Sequence, residues 1–473
     1  MNDLLIQGAA HLWTGLRGDA MRAPGGTDIR IRDGVITAIG HLKAEPGEPV
    51  LDASCCVIYP GSINTHHHLF QSLLKGIPAG INLALVPWLA AVPVAYRRHF
   101  DHEEALRIAA RVGLVELALS GCTTVADHQY HNYPGMPYDA SAAVFDEAEK
   151  LGLRFVLCRG GQTVSRAMTD AVAPPQVAPE SIDAFMAAIE RDVQRFHDPG
   201  PMAMRRVVSA ITTPNWSCEA DELRPMAEQA RALGIRLHSH LSETFDYVRW
   251  AREVHGCTPL QFVERHGWVG PDVWYAHMVH LDDGDLQLCA DTGTGIAHCP
   301  QSNGRLGSGI ARIPEALAMG VPVSLAVDGA ASNEAADMAS EMHAAWLMHR
   351  ADPRAGERAM VGGTQPGGNA AALTVEDVVH IATAGGARVL GLDGVGTLQV
   401  GMAADLAVYA LDQPRHFGLH DPGIAPVASA GRTTLRALLV QGRVVVENDA
   451  IPGLDLAELG AQAAALVARM AAG

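Results

Sequence analysis

P-G-S-I-N-T-H-H-H-L-F-Q, residues 60–71, runs out of an apolar strand (Val57, Ile58, Ile63) into a histidine cluster. Side chains alternate along a strand, so His66 and His68 share one face and His67 takes the other. A His-x-His pair at the end of a buried strand can grip one borderline divalent metal, because neutral imidazole nitrogens are good ligands and the period of two brings them together. Three histidines in a row also make an ordinary polar strand end, so the reading depends on further ligands elsewhere in the chain.

Working outward, strand-like runs fall at 57–64, 122–127, 154–158, 206–211, 236–240, 273–277, 294–298 and 323–328. Helical runs such as His102 to Leu119, Ser141 to Leu151, Ser181 to Phe196, Glu219 to Leu233 and Asn333 to His349 alternate with them. This is the rhythm of a parallel α/β structure, and eight strands is the number of a (β/α)8 TIM barrel. Short strands at both ends (Leu4 to Gln7, Ile29 to Ile31, Val35 to Ile39, Cys55 to Tyr59, Asp405 to Tyr409, and Leu438 to Glu447 with a Gln441-Gly442 turn) predict a small β-sandwich built from both termini. The expected division is 1–59 and 395–473 for the sandwich, the latter ending in a helix over Leu456 to Ala472, and 60–394 for the barrel. Residues 165–180 and 351–370, rich in Pro, Gly and Ala, read as loops over a barrel end.

Catalytic groups of such a barrel collect at the C-terminal ends of its strands. Strand one ends in His66 and His68, strand five in R-L-H-S-H (His238, His240), strand six in Y-A-H (His277) and strand eight in S-L-A-V-D-G (Asp328). His238 and His240 share a face, but His240 lies nearer the strand end, so it is assigned to the metal and His238 to the inner layer of the barrel. His66, His68, His240 and Asp328 then offer three imidazoles and a carboxylate with room for water. Glu243, three residues after His240, is the candidate proton shuttle, and His277 can hydrogen-bond the attacking water; with Asp328 they make up the catalytic set. Taken singly, each of the three also reads as a solvated loop residue, or, for His277, a core histidine, but a joint accident at the right strand ends has a small chance.

The blocks N-T-H-H-H-L, H-S-H-L-S-E, A-H-M-V-H-L and V-D-G-A-A-S-N resemble the signatures of the amidohydrolase superfamily, in its aminohydrolase/chlorohydrolase branch. The likeness continues to G-T-L-Q-V-G-M-A-A-D-L-A-V, Gly396 to Val408, and so spans nearly the whole chain. It implies the same ligand set, the same Glu243 and His277 pair, and supporting positions at His280, Ser332 and Asn333. Two-metal members of that superfamily typically use a carboxylated lysine late in a middle strand. Strand four here, Val207 to Thr212, has no lysine, which favours one metal per subunit, with zinc the default and iron compatible. Many members are homo-oligomers, and that is the expectation carried over.

Gln71 completes an H-x-H-x-x-Q pattern like that of guanine deaminases, where the amide reads the amide edge of the ring. Those enzymes carry Pro-Arg-Phe after strand four, whereas this chain has Pro214-Asn215-Trp216. Arginine offers only donors, and asparagine adds an acceptor. The resemblance therefore points to hydrolytic deamination, with release of ammonia, of an oxidised 2-amino-4-oxo bicyclic heterocycle such as isoxanthopterin or 8-oxoguanine. The blocks S-G-C-T-T-V-A-D-H and H-C-P-Q-S-N-G-R-L-G-S-G-I resemble the same deaminase group. Phe70, Trp88, Tyr130 and Trp216 are candidates to stack on a flat ring, Trp88 first because it lies in a loop-like V-P-W-L after strand one, and His128 and Gln129 end strand two. An s-triazine chlorohydrolase or another purine or pterin deaminase is the alternative within the enzyme class. A metal-bearing scaffold without turnover is the alternative outside it, and Glu243 argues against that, since a scaffold needs no shuttle.

Composition narrows the partners. The 473 residues carry a formal net charge of −17 and no basic run, which speaks against nucleic acid and acidic membranes. No apolar stretch of about 18 residues suggests a membrane span. Eight cysteines without a C-x-x-C pair, several within apolar strand-like runs, read as reduced core residues of a cytoplasmic protein. The start M-N-D-L-L-I-Q-G has no basic region followed by a long apolar one, so no signal peptide is expected.

Overall fold

The computed structural model of the protein describes residues 3–23, 26–164, 178–354, 368–429 and 431–472. Most of the two expected loops, 165–177 and 355–367, lies outside the described residues.

Eight parallel strands run in sequence order around a barrel: β1 (Ser62–Asn64), β2 (Cys122–Gln129), β3 (Arg154–Arg159), β4 (Arg205–Ala210), β5 (Leu237–Leu241), β6 (Val273–His277), β7 (Gly295–His298) and β8 (Val323–Leu325). All but the first residues of β4 are buried, as strands covered on both faces must be. β8 meets β1 just beyond their ends. There Thr65 N–H donates to the Leu325 carbonyl, and Asp328 N–H donates to the His66 carbonyl at 3.1 Å. The Asn64 side chain accepts from Val327 N–H at 3.0 Å.

The crossover helices begin and end where local chemistry says they should. Ser181 caps the helix Ile182–Phe196 by accepting from Ala184 N–H, and Gly152, at φ 76°, ends the helix Ala140–Leu151. One expected helix starts late, at Met338 rather than Asn333. Asn333 is occupied in bonding the Val327 carbonyl, and Asp337 caps the helix instead.

The reading of 57–64 as one strand is corrected. Cys56–Pro60 pairs with Leu406–Ala410 in a five-stranded sheet outside the barrel, and only Ser62–Asn64 joins β2. The break falls at Gly61, whose N–H donates to the Asp405 carbonyl. A β-carbon at Gly61 would lie 2.2 Å from the Thr123 methyl, so no larger residue fits this crossing between sheets. The five-stranded sheet faces a four-stranded one (Val35–Gly40, Asp28–Arg32, Leu4–Gln7, Val50–Asp52), and Ile6, Ile29, Ile58, Leu406, Val408 and Leu439 fill the space between them. Arg154 of β3 and Asp405 tie this sandwich to the barrel through a forked pair with N···O distances of 2.9–3.1 Å, both side chains buried.

Candidate metal centre and active site

Period-two alternation places His66 and His68 on the inner face past β1, and His240 joins them from β5. Asp328 arrives from the loop after β8 with φ 61°, and His277 closes β6 with φ 73°. Left-handed backbone is uncommon for residues with a β-carbon and persists where the surroundings over-determine it. Here the His66 carbonyl holds Asp328 N–H, and the Leu241 carbonyl holds Met278 N–H at 3.1 Å.

One ligand atom from each of His66, His68, His240 and Asp328 lies within 4.8 Å of the others. Asp328 Oδ1 is 3.2 Å from His66 Nε2 and 3.3 Å from His68 Nε2. Its other oxygen is saturated by the hydroxyls of Ser302 at 2.7 Å and Ser332 at 2.9 Å, which aims one oxygen inward. His68 Nδ1 donates to the His128 carbonyl at 2.8 Å and His240 Nδ1 to the Thr212 carbonyl at 2.6 Å. Neutral rings held this way carry lone pairs on both Nε2 atoms, yet those atoms face each other at 3.1 Å. Two lone pairs so placed need a proton or a metal ion between them. His66 Nε2 is likewise buried without a hydrogen-bond partner. Burial holds His66 and His240 well below the usual histidine range, so both stay neutral and ready to ligate. The donor set fits a divalent metal.

Glu243 and His277 stand beside this cluster, Glu243 Oε2 lying 3.8 Å from His277 Nε2. Burial pushes the Glu243 carboxyl up to about 7. His277 Nδ1 donates to Asn303 Oδ1 at 2.9 Å, which leaves its Nε2 an acceptor toward the site.

The substrate candidates are distributed unevenly. Gln71 Nε2 donates to the Tyr130 hydroxyl at 3.0 Å, and its amide packs against Gly329, next to Asp328, with its oxygen foremost; a β-carbon at Gly329 would sit 1.9 Å from Gln71 Oε1. Asn215 is buried, and among the described residues neither its amide nitrogen nor its oxygen has a hydrogen-bond partner. Trp216 packs on Tyr247, with ring centroids 4.1 Å apart. Trp88, expected in a loop, belongs to a short helix (Leu85–Leu89) and is buried with an unpartnered indole N–H. His238 lies one layer beneath the metal cluster, 2.8 Å from His66 Nδ1. Among the supporting positions, Ser332 touches Asp328 and Asn333 bonds the Val327 carbonyl, while His280 bonds the Ser308 carbonyl at 2.8 Å, further out.

Ser302, Asn303 and the Thr212 carbonyl are contacts that the sequence does not single out, and Tyr130, expected as a stacking ring, offers its hydroxyl to Gln71. Ser302 and Asn303 lie in the H-C-P-Q-S-N block, two polar residues opening a short helix after β7, and that position was the available signal.

Activation of water by a divalent ion is the chemistry that such a barrel rim serves, and the class is that of the metal-dependent hydrolases. The chain belongs to the amidohydrolase family, whose model matches residues 57–445. It is 56% identical over 469 residues to an isoxanthopterin deaminase from an unknown prokaryotic organism, covering 98% of this chain and 96% of that protein. It is 36% identical over 458 residues to 8-oxoguanine deaminase of Pseudomonas aeruginosa, covering 96% and 97%. Among solved structures, an amidohydrolase from an environmental sample of the Sargasso Sea is 50% identical with a TM-score of 0.83, covering 99% of each chain. Atrazine chlorohydrolase from Arthrobacter aurescens TC1 complexed with zinc is 28% identical with a TM-score of 0.86, covering 98% of this chain and all of that one. Among the described residues no helix is long and apolar enough to cross a membrane.

Proposed function

We propose that the chain is a hydrolytic deaminase of an oxidised 2-amino-4-oxo bicyclic heterocycle, isoxanthopterin first and 8-oxoguanine second, with one metal ion per subunit. The observation that carries the substrate reading is Asn215, a buried amide whose donor and acceptor both lack a hydrogen-bond partner among the described residues. Buried polar groups are almost always paired, so one left open three residues after Thr212, whose carbonyl holds the His240 ring, suits a ligand that brings both complements. An oxidised ring offers an N–H next to a carbonyl, where guanine has only the acceptor. The similarity to an isoxanthopterin deaminase supports the same order of preference.

His66, His68, His240 and Asp328 are assigned to the metal, with zinc preferred over iron because three imidazoles and one carboxylate suit it. When bound, such an ion lowers the pKa of water and supplies a nucleophile at neutral pH. The other groups handle the substrate and the proton. Gln71, held against Gly329 by Tyr130, reads the amide edge of the ring, and Trp88 and Trp216 wall the pocket. His277 Nε2 accepts a hydrogen bond from the attacking water. Glu243 takes a proton from that water and delivers it to the adjacent ring nitrogen as the oxygen joins the amino-bearing carbon, then carries the remaining hydroxyl proton to the amino nitrogen, which leaves as ammonia, so that the ring carbon becomes a lactam carbonyl. A carboxyl near 7 holds and returns a proton at neutral pH at little cost.

The test is ammonia release on a panel of isoxanthopterin, 8-oxoguanine, pterin, guanine, an adenosyl compound and a chlorinated triazine. Preference for the first two by orders of magnitude in kcat/KM is expected. Guanine leading, or chloride release from the triazine outpacing any ammonia release, would reject the pocket reading.

A further inference from the structure

We infer that His238 is a positioning residue for the metal centre, fixing the tautomer and the aim of His66. The inference rests on the metal reading above and concerns a side chain one layer beneath it. His238 Nδ1 lies 3.0 Å from the Trp274 carbonyl, which can only accept, so this nitrogen carries the hydrogen. His238 is wholly buried, and in its neutral form the remaining lone pair lies on Nε2. Its partner at 2.8 Å, His66 Nδ1, must be the donor. That leaves the lone pair of His66 on Nε2, the atom that faces Asp328. The circuit closes on itself, because the Trp274 indole N–H donates to the Thr65 carbonyl at 3.2 Å, one residue before His66. The His238 ring is stacked on Trp274, with centroids 4.4 Å apart and planes 21° apart, which fixes its direction.

His66 differs from its two neighbours in this respect. His68 and His240 are oriented by backbone carbonyls, of His128 and Thr212, which no substitution removes. The orientation of His66 depends on a side chain. The same contact gives a reason why His66, His128 and His238, whose nitrogens also cluster within 4.8 Å, do not form a second metal site. The lone pair of His238 is engaged by the His66 hydrogen, and only the His128 ring is left without partners.

The experiment measures the zinc dissociation constant of the full chain against a competing chromophoric chelator, with metal stoichiometry, for the wild type, His238→Leu, His238→Gln and His128→Leu. Groups that orient a metal ligand typically contribute 10–100-fold in affinity. His238→Leu, which keeps volume and removes the acceptor, is expected to bind zinc about 10–100-fold more weakly. His238→Gln, whose side-chain oxygen can take the Nε2 position, is expected to stay within about threefold of the wild type, as is His128→Leu, and the wild type is expected to hold one equivalent. Nitrogen-15 spectra of histidine-labelled wild type should show His66 protonated on Nδ1, a readout that needs no variant to fold. Equal losses in the Leu and Gln variants, or His66 protonated on Nε2 in the metal-free protein, overturn the inference. So does a wild-type stoichiometry of two that drops to one in His128→Leu and His238→Leu, which would make the cluster a metal site. A wild type that binds no zinc at all would instead reject the metal reading on which the inference stands.

Discussion

Glu243 Oε2 and His277 Nε2 face each other across 3.8 Å, wider than a hydrogen bond and narrow enough that a single atom between them can touch both. His277 is pinned from behind by Asn303, so its free nitrogen cannot turn away. Under the proposed roles, the gap seats the group that exchanges the proton. Replacing Glu243 by Gln keeps the shape and removes the base. Turnover should fall by about 10²–10⁴-fold, the range of general acid–base catalysis, while metal content measured by elemental analysis stays at one equivalent. Loss of the metal together with activity would make Glu243 a ligand and undo its role as shuttle.

Asn215 predicts a change of specificity. Arginine at this position would fill a buried amide site with donors alone and leave the N–H of an oxidised ring facing a cation. Asn215→Arg should lower kcat/KM for isoxanthopterin and 8-oxoguanine by on the order of 10²-fold, since a buried hydrogen-bonding group left unpaired is costly. Steady-state kinetics on both rings and on guanine would decide it. Unchanged or higher activity on the oxidised rings sinks the assignment.

The pair Arg154–Asp405 joins the barrel to the sandwich with both charges out of water. Removing one partner strands the other, which typically costs about 3–5 kcal/mol. Asp405→Ala should therefore lower stability by about that much in urea unfolding, while Arg154→Met with Asp405→Leu should recover part of the loss. A single variant as stable as the wild type would mean that the pair contributes nothing.

Acid should loosen the fold before it reaches the usual carboxylate range. His349 is buried against His298, their Nε2 atoms 2.9 Å apart, and burial pushes it down to about 4. Burial and the neighbouring Arg97 push His131 down to about 3. A histidine depressed in the folded state leaves the unfolded chain as the better proton binder below its ordinary pKa of about 6.5, so stability falls as pH drops from there toward the folded value. For His349 the full span is worth about 3 kcal/mol. The slope of unfolding free energy against pH between 6.5 and 4, read with and without His349→Gln, should lose about one proton's worth in the variant. An unaltered slope would show that His349 is not the group responsible.

The barrel was legible because each of its strands is an apolar run, and the metal cluster because period-two spacing and strand-end position are local properties of His66, His68, His240 and Asp328. What escaped depends on the far side of the fold. The split at Gly61 comes from Thr123 and Asp405, one in β2 and the other near the opposite end of the chain. Ser302 and Asn303 are ordinary polar residues until Asp328 and His277 are brought to them. The helix expected from Asn333 starts late because a loop uses that amide, a demand which no propensity records. Trp88 looked like loop because Pro87 interrupts its neighbourhood, yet the residue folds into a single short helix against the core.

The crossing at Gly61 also orders events in time. The strand before it pairs with Leu406–Ala410, and the residues just after it touch Leu325 and Asp328. A ribosome releases the first two histidine ligands long before it makes any of these partners. Pairings of such long range close slowly and only after most of the chain exists. Closing the four-residue cluster therefore waits on Asp328, and seating the strand that leads into it waits on Leu406–Ala410, made later still.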